Sequence, residues 1–238
     1  MNSHILQTLK YRDVAFYRTD SIIHLSSLDF AAGIGPSRLD QIKANLSDLG
    51  YFVARTALSE LWTLNAHISS VAIGTSLKYN DKDKIIIGLN YLFKQLRISP
   101  KVIFSHENYL NTEVSSIAVL CTGYTDLNKL ICFKIRKGDL IYSFGLGYIR
   151  QDIKKEDLDI PDLSYLKRSL NNNNIRQIIP IGSRGIMHEI MTIKNTYSLN
   201  IQLINKIDVG KGGPGLQFLI ISSKALHYNE FIYLGKYC

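Results

Sequence analysis

The stretch from Ile22 to Ser37 limits the possible folds more than any other part of the chain. Its first residues are apolar and predict a β-strand, and the chain then passes through a single acid, Asp29, into a turn of small residues. Gly33 and Gly35 would let the backbone of that turn approach an anion, and a carboxylate oxygen is a ligand that Mg²⁺ favours. The pattern therefore predicts either a metal and phosphate site or plain Asx-turn chemistry, which is the commoner role of an Asp before small residues.

A second constraint is a helix that is apolar on nearly every face, predicted from Tyr51 to about Ala66. Such a helix must be covered on several sides, which favours a position in the core. One acid, Glu60, lies within it. Acids at buried positions are usually paired or bound to a metal, so Glu60 is predicted to be a metal ligand, to contact a nearby Arg or Lys, or to point outwards.

The remaining pattern alternates strands with helices and predicts a mixed α/β (α+β) chain. An amphipathic helix is predicted over 85–96, and a strand over 101–104 is followed by a second acid, Glu107. Ligand sites in α/β sheets gather where strands end, which makes Glu107 a further candidate. His106 beside it is predicted to be an ordinary hydrogen-bonding side chain, with general-base catalysis as the alternative.

A charged stretch at 151–162 predicts a boundary between two domains, residues 1–150 and 151–238. In the second domain a glycine turn precedes a helical pattern and carries Ser183 and Arg184. Backbone N–H groups at a helix N-terminus and an Arg side chain both favour anions, so this turn is a candidate phosphate contact, with a simple strand-to-helix turn as the alternative.

Composition narrows the class of protein. Apolar residues make up 46% of the chain and charged residues 20%, as in globular proteins. No apolar run is long enough for a membrane span and no secretory leader is recognised, so we expect a cytoplasmic protein without a membrane partner. The net charge of +8 is scattered along the chain without a basic block, which predicts no nucleic-acid partner.

The order of these features resembles the PurM-like superfamily of aminoimidazole ribonucleotide synthetase-related proteins, and within it most closely the α-ribazole kinase branch. That branch has Asp-Asn-Ser-Gly-Ala-Ile-Gly where this chain has residues 29–35, and Gly-Ser-Thr-Glu where it has 104–107. It also has Pro-Val-Gly-Ser-Lys-Gly-Ile where this chain has 180–186. The likeness continues in order from about residue 22 to residue 221.

The resemblance implies a PurM-like two-domain fold. The N-terminal domain would bind ATP and Mg²⁺ and pair with a second copy in a barrel-like homodimer, and a smaller C-terminal α/β domain would follow. It also implies the site residues. Asp29, Glu60 and Glu107 would be catalytic residues and metal ligands, and the cofactor would contact Gly33, Gly35, Asp40, Arg55, Ser183, Arg184 and Gly185.

The function implied by the resemblance is transfer of the ATP γ-phosphate to a nucleoside-like hydroxyl, as in α-ribazole kinases of cobamide salvage. A ligase reaction of the kind found in purine synthesis is a weaker alternative. This chain departs from the family pattern at Phe30, Ala31, Phe104 and His106, which replace small or polar residues. Those departures motivate a second hypothesis, a non-catalytic nucleotide-binding scaffold or sensor dimer of the same fold.

Overall fold

The structure is a computed structural model that describes residues 12–107, 109–131, 134–145, 154–157, 160–204 and 215–238. The chain divides into two compact units. The first contains residues 1–62 and 66–130, and the second contains residues 63–65 and 131–238. The division thus falls before the predicted boundary at residue 150, because the strand at Leu140–Gly145 belongs to the sheet of the second unit.

Seven strands and two α-helices make up the described part of the first unit. They are β1 (Val14–Thr19), β2 (Ile22–Ala32), β3 (Ile34–Gly35), β4 (Ile42–Lys43), α1 (Leu46–Trp62), β5 (His67–Thr75), α2 (Lys82–Leu96), β6 (Lys101–His106) and β7 (Ser116–Asp126), with a 3₁₀ helix at Tyr79–Asp81 before α2. Five strands form one sheet in the order β1-β2-β7-β5-β6, in which only β5 and β6 are parallel.

Helix α1 is the buried helix that the sequence predicts, although it begins earlier, at Leu46. The Asn45 side chain explains that start, because its oxygen accepts the N–H of Asp48 at 2.8 Å and its amide donates to the Asp48 carboxylate at 2.6 Å. Every residue of α1 except Ser47 and Thr56 is buried. The helix therefore forms the centre of the first unit's core, between the sheet and α2.

Helix α2 carries the predicted amphipathic stripe and packs closely on α1. Its buried residues include Ile85, Leu89 and Leu92, which recur at helical spacing. A Cβ atom at Gly88 would clash with the Ser47 carbonyl of α1, so the absence of a side chain there allows the two helices to approach closely.

The opposite face of the first sheet carries exposed apolar side chains. Leu28 and Leu120 are cross-strand neighbours on this face, and they are 58% and 38% exposed. Phe30 and Ile103 extend the same patch and are 61% and 60% exposed. Within the described residues this face has no helix packed on it.

The second unit is an antiparallel sheet with helices. Its described elements are β8 (Leu140–Gly145), α3 (Leu163–Leu170), β9 (Ile175–Pro180), α4 (Ile186–Tyr197), β10 (Ile201–Leu203), β11 (Gln217–Ser222) and β12 (Ile232–Tyr237). The strand order is β10-β12-β8-β11-β9. Its core joins Ile141, Ile179 and Leu219 from the sheet to Ile190 of α4.

Most of the predicted elements are present in both units, and the predicted mixed α+β class is confirmed. A strand predicted over 129–134 is absent from those of its residues that the structure describes. Strand β12 was not predicted from the sequence, and the predicted glycine loop at 208–215 lies almost wholly outside the described residues. Among the described helices, none combines the length and the apolar character that a bilayer crossing requires.

Candidate functional site

Asp29 lies within a strand, which corrects the prediction that it stands in a turn. It pairs with Val119 of β7, and β2 continues to Ala32 before the chain turns at Gly33. The side chain is half-buried and lies beside Thr56 of α1. The acid is therefore held between the sheet and the central helix, close to the end of its strand.

The electrostatic environment of Asp29 disfavours its charged form. Burial raises the pKa of Asp29 from its ordinary value of 3.8 to about 6, and the neighbouring carboxylate of Asp13 contributes in the same direction. Hydrogen bonds from the Phe30 backbone and the Thr56 side chain lower it part of the way. A carboxyl group with such a pKa is typical of functional sites, and a bound cation would stabilise its ionised form.

Asp13 is a carboxylate near Asp29 that was not predicted from the sequence as a site residue. It is exposed and directly precedes β1, where Val14 pairs with Ser27. This register brings Asp13 next to the Asp29 end of β2. The short turn at residues 20–21 between two apolar runs could have revealed the pairing, because hairpin register follows from turn length.

Glu60 of α1 is buried and forms an ion pair with Arg12, with Oε1 and Nη2 3.4 Å apart. A second contact of the same length joins Arg12 Nε to Glu60 Oε2. The structure therefore shows the pairing with a basic residue that was one of the alternatives for Glu60.

Glu107 directly follows β6, as predicted, and is exposed. Its Oε1 accepts the backbone N–H of Tyr109 at 2.6 Å and that of Leu110 at 3.3 Å. It lines a cavity of about 260 Å³, together with Ser37 from the turn after β3 and Lys78 from the segment after β5. The acid is therefore placed where a ligand in this cavity could contact it.

The three predicted carboxylates do not converge on one point in this structure. Asp29 lies on β2 and Glu107 follows β6, with β7 and β5 between them, so their strands are about 14 Å apart at ~4.8 Å per strand. Glu60 contacts Arg12 instead. In the parts of the chain that the structure describes, no three His, Cys, Asp or Glu side chains form a group that could hold a metal ion.

The glycine turn is held together by hydrogen bonds within the chain. The N–H of Gly33 donates to the Ser115 carbonyl at 2.9 Å, and the N–H of Ser37 donates to Asp40 at 2.7 Å. A Cβ atom at Gly35 would lie 2.6 Å from the Ser115 Oγ, which explains the need for glycine there. Since the N–H groups of Gly33 and Ser37 are already donated, the described turn does not present them to a phosphate.

Asp40 is the centre of that hydrogen-bond network. Its carboxylate accepts the Ser115 N–H at 2.8 Å and the Ser115 hydroxyl at 2.6 Å. Burial alone would raise the pKa of Asp40, but these bonds, that from the Ser37 N–H and the charge of Lys43 together hold it below its usual value. In this structure Asp40 shapes the turn, and its oxygens are directed at the protein.

The remaining predicted cofactor contacts lie in different places. Arg55 of α1 is 1% exposed and its guanidinium donates to the Tyr51 hydroxyl at 3.1 Å, so a ligand could not reach it without repacking of the helix. Ser183 and Arg184 lie in the second unit and are exposed, and Gly185, at a φ of +80°, directly precedes α4. This turn is therefore accessible to a ligand.

No model of a protein family matches the chain, and no curated protein matches it in sequence. Solved structures do match. Thiamine monophosphate kinase from Aquifex aeolicus is 14% identical, with a TM-score of 0.70 over 96% of this chain and 89% of that chain. The corresponding enzyme from Stenotrophomonas maltophilia K279a is 12% identical, with a TM-score of 0.68 over 97% and 90%.

The second type of match is T. maritima PurL complexed with ATP, at 12% identity and a TM-score of 0.62 over 93% of this chain. The match takes in 41% of that longer chain. Both types of protein have the PurM-like architecture that the order of motifs predicted. By its strand order and these likenesses, the chain has the PurM-like fold.

Proposed function

We propose that this protein is an ATP-dependent small-molecule kinase that uses Mg²⁺ and transfers the γ-phosphate to a nucleoside-like hydroxyl, as α-ribazole kinases do. The observation that carries the proposal is the Asp29 carboxyl group, half-buried near a strand end with its pKa raised to about 6 and Asp13 beside it. The likeness of the fold to thiamine monophosphate kinase supports the same reaction class.

The chemistry of the donor set fits Mg²⁺. This ion is commonly bound by one or two carboxylates together with substrate phosphates and water, so a cluster of three acids is not required. Asp29 and Asp13 would supply those carboxylates, and the ion would neutralise charge on the phosphates. Phosphoryl transfer depends on positioning and charge stabilisation more than on covalent chemistry by the protein.

The other predicted residues would have different roles. Glu107 faces the cavity beside the glycine turn and would be a metal or acceptor contact there. Glu60 is neutralised by Arg12, so we propose that it has a structural role in the first unit and is not a metal ligand. Ser183, Arg184 and Gly185 would contact an anionic group at the N-terminus of α4, where exposed N–H groups and a guanidinium favour negative charge.

The first test is thermal unfolding with ATP, with and without Mg²⁺, because a ligand that binds only the folded state raises the Tm. The wild-type protein should be stabilised by ATP with Mg²⁺, and Asp29→Asn and Glu107→Gln should reduce that shift. Asp20→Asn is a matched control, since Asp20 is an exposed turn residue at a φ of +52° that Asn also tolerates. An unchanged shift in both site variants would refute the site.

The second test is phosphoryl transfer from labelled ATP to a panel of acceptors, namely nucleosides that include α-ribazole and, for comparison, thiamine monophosphate. The proposal predicts label on at least one acceptor hydroxyl, and loss of that label in Asp29→Asn. Label transfer to thiamine monophosphate alone would keep the kinase class and refute the nucleoside acceptor.

A non-catalytic nucleotide-binding protein is the second candidate, and a specific observation favours it. Phe104 and His106 place rings at the end of β6, where the α-ribazole kinase pattern has Gly and Thr. The ring of Tyr79 lies 5.1 Å from His106, and the Lys82 ammonium lies 5.7 Å from the Phe104 ring. ATP binding with no phosphoryl transfer to any of the acceptors tested would favour this candidate.

A homodimer is part of both candidates. The exposed apolar patch of Leu28, Phe30, Ile103 and Leu120 on the first sheet supports it, since large exposed apolar patches commonly mark interaction sites. The dimer would bury this face against the same face of a second copy. Sedimentation equilibrium tests the proposal, and a monomer at all concentrations up to the millimolar range would refute it.

A further inference from the structure

The second unit contains a cavity that none of the proposed kinase residues line. Its volume is about 460 Å³, within the range of small-molecule pockets. It lies between the end of β8, the start of α3 and the segment before β12. Phe144, Tyr165, Ile160 and Pro161 supply apolar walls, and Asp162 and Glu230 supply carboxylates.

The aromatic wall is built on a rigid cluster of rings. Phe144 and Tyr165 are stacked, with their centroids 5.6 Å apart and their planes at 22°. Phe231 packs on both of them, at 5.5 Å and 5.9 Å, and Tyr228 lies 4.9 Å from Phe231. Because each ring is fixed by its neighbours, the wall would lose little conformational freedom when a flat ligand packed against it.

One carboxylate at the cavity is fixed in place. The Tyr165 hydroxyl donates to Glu230 Oε2 at 2.5 Å, and this bond holds the pKa of Glu230 below its usual value. The exposed Glu230 is therefore charged at neutral pH. The second carboxylate, Asp162, accepts the Ser164 N–H at 2.8 Å and the Ser164 hydroxyl at 2.6 Å, which fixes it at the N-terminus of α3.

The charge balance of the cavity is negative. In the described residues no Lys or Arg lines it. Arg168 lies close by, with its guanidinium 5.3 Å from the centroid of the Tyr165 ring, and its charge contributes to the low pKa of Glu230. Among the described lining residues the only charged groups are the two carboxylates, so their field favours a positively charged ligand.

We propose that this cavity binds a flat heteroaromatic ring that carries a positive charge. The ring would pack against Phe144 and Tyr165, where the faces of aromatic side chains attract cations, and its charged side would face Glu230. A neutral ring gains only the apolar contact, and a cation without a ring gains only the charge. The proposal goes beyond the kinase activity and does not depend on it.

Three probes separate these contributions. N-methylquinolinium has both the ring and the charge, quinoline at pH 8 has the ring alone, and tetramethylammonium has the charge alone. Binding is measured on the full chain by isothermal titration and by saturation-transfer NMR. We expect N-methylquinolinium to bind about tenfold more tightly than either of the others, as one charged contact implies. Equal affinity for quinoline, or no binding of N-methylquinolinium at millimolar concentration, would overturn the proposal.

Variants locate the binding in this cavity. Glu230→Gln should weaken N-methylquinolinium about tenfold and leave quinoline unchanged, since Glu230 is exposed and its removal leaves the core intact. Arg168→Gln should act in the opposite direction, because it removes the competing cation. Glu156→Gln is the matched control, an exposed glutamate of the same unit outside the cavity. Equal losses in Glu156→Gln and Glu230→Gln would show a general charge effect and contradict the site.

Discussion

Replacement of Asp29 by Asn should stabilise the folded protein at neutral pH. The carboxyl group has an ordinary pKa of 3.8 and a folded pKa of about 6. At about 1.4 kcal/mol per pKa unit, the difference corresponds to at most about 3 kcal/mol by which the ionised group destabilises the fold, and solvent around the half-buried side chain screens part of it. Burial is the largest cause, and an amide of the same shape carries no charge to bury. We therefore expect Asp29→Asn to raise the free energy of unfolding by about 1 to 3 kcal/mol.

The sign of the pH dependence follows from the raised pKa. Between about pH 4 and pH 6 the folded state holds a proton that the unfolded state has lost, so this group makes stability fall as the pH rises through that window. Above it the destabilisation is complete, and below it the group is protonated in both states. The gain from Asp29→Asn should therefore be large at pH 7.5 and nearly absent at pH 4.

Urea unfolding followed by tryptophan fluorescence measures this difference. Trp62 is the only tryptophan, is buried, and lies in α1 of the first unit, so its signal reports on the elements around Asp29. The same variant should lose the stabilisation that wild type gains from ATP with Mg²⁺. Asp20→Asn should change neither quantity. A variant that is no more stable at pH 7.5, or equally more stable at pH 4, would refute the electrostatic reasoning.

Three further predictions concern the first unit. Asp40→Ala should lower the free energy of unfolding by about 3 kcal/mol at pH 7, because Ser115 loses its carboxylate partner. Since the pKa of Asp40 is lowered in the folded state, the difference in the free energy of unfolding between wild type and Asp40→Ala should become smaller as the pH falls below 3.8. Equal midpoints of urea unfolding for the two proteins at pH 7 would contradict this prediction. Gly35→Ala should destabilise the protein by about 2 kcal/mol more than Gly33→Ala, because both glycines have positive φ but only a Cβ atom at Gly35 would clash with Ser115. Calorimetry of the two variants measures this difference. Phe30→Asp should be a monomer in sedimentation equilibrium, and the free energy of unfolding of that monomer should change by less than about 0.5 kcal/mol because Phe30 is exposed. An intact dimer would show that this face is not the dimer interface.

The sequence predicted the fold well where one periodic pattern decided the outcome. The apolar helix around Tyr51 and the stripe of α2 were both correct, because burial on one or several faces leaves a direct trace in the order of residues. The start of α1 was placed too late, although Asn45 with an acid three residues on is a capping signal. Strand β12 was overlooked although apolar residues alternate along it at Ile232 and Leu234.

The site was harder to predict because its properties come from residues far apart in the chain. Glu60 is neutralised by Arg12, 48 residues away, and no local pattern reveals such a partner. Burial raises the pKa of Asp29, Asp13 adds to the rise and Thr56 opposes it, and all three effects arise only after α1 and β1 have packed on β2. The prediction that three acids meet at one metal site was based on their residue types and their order in the chain. Neither of these gives the distance between the strands that carry them.

The position of β7 in the middle of the first sheet also affects how the protein is made. It pairs with β2 on one side, matching Ala32 with Ser116 and Ile22 with Asp126, and with β5 on the other. During synthesis β2 and β5 leave the ribosome long before β7 does. The strand edges through which they pair with β7 therefore stay without a partner while translation continues. Pairing at such separations is slow, and unpaired edges invite association between chains. Nascent chains that end before Ser116 should therefore depend most on chaperones.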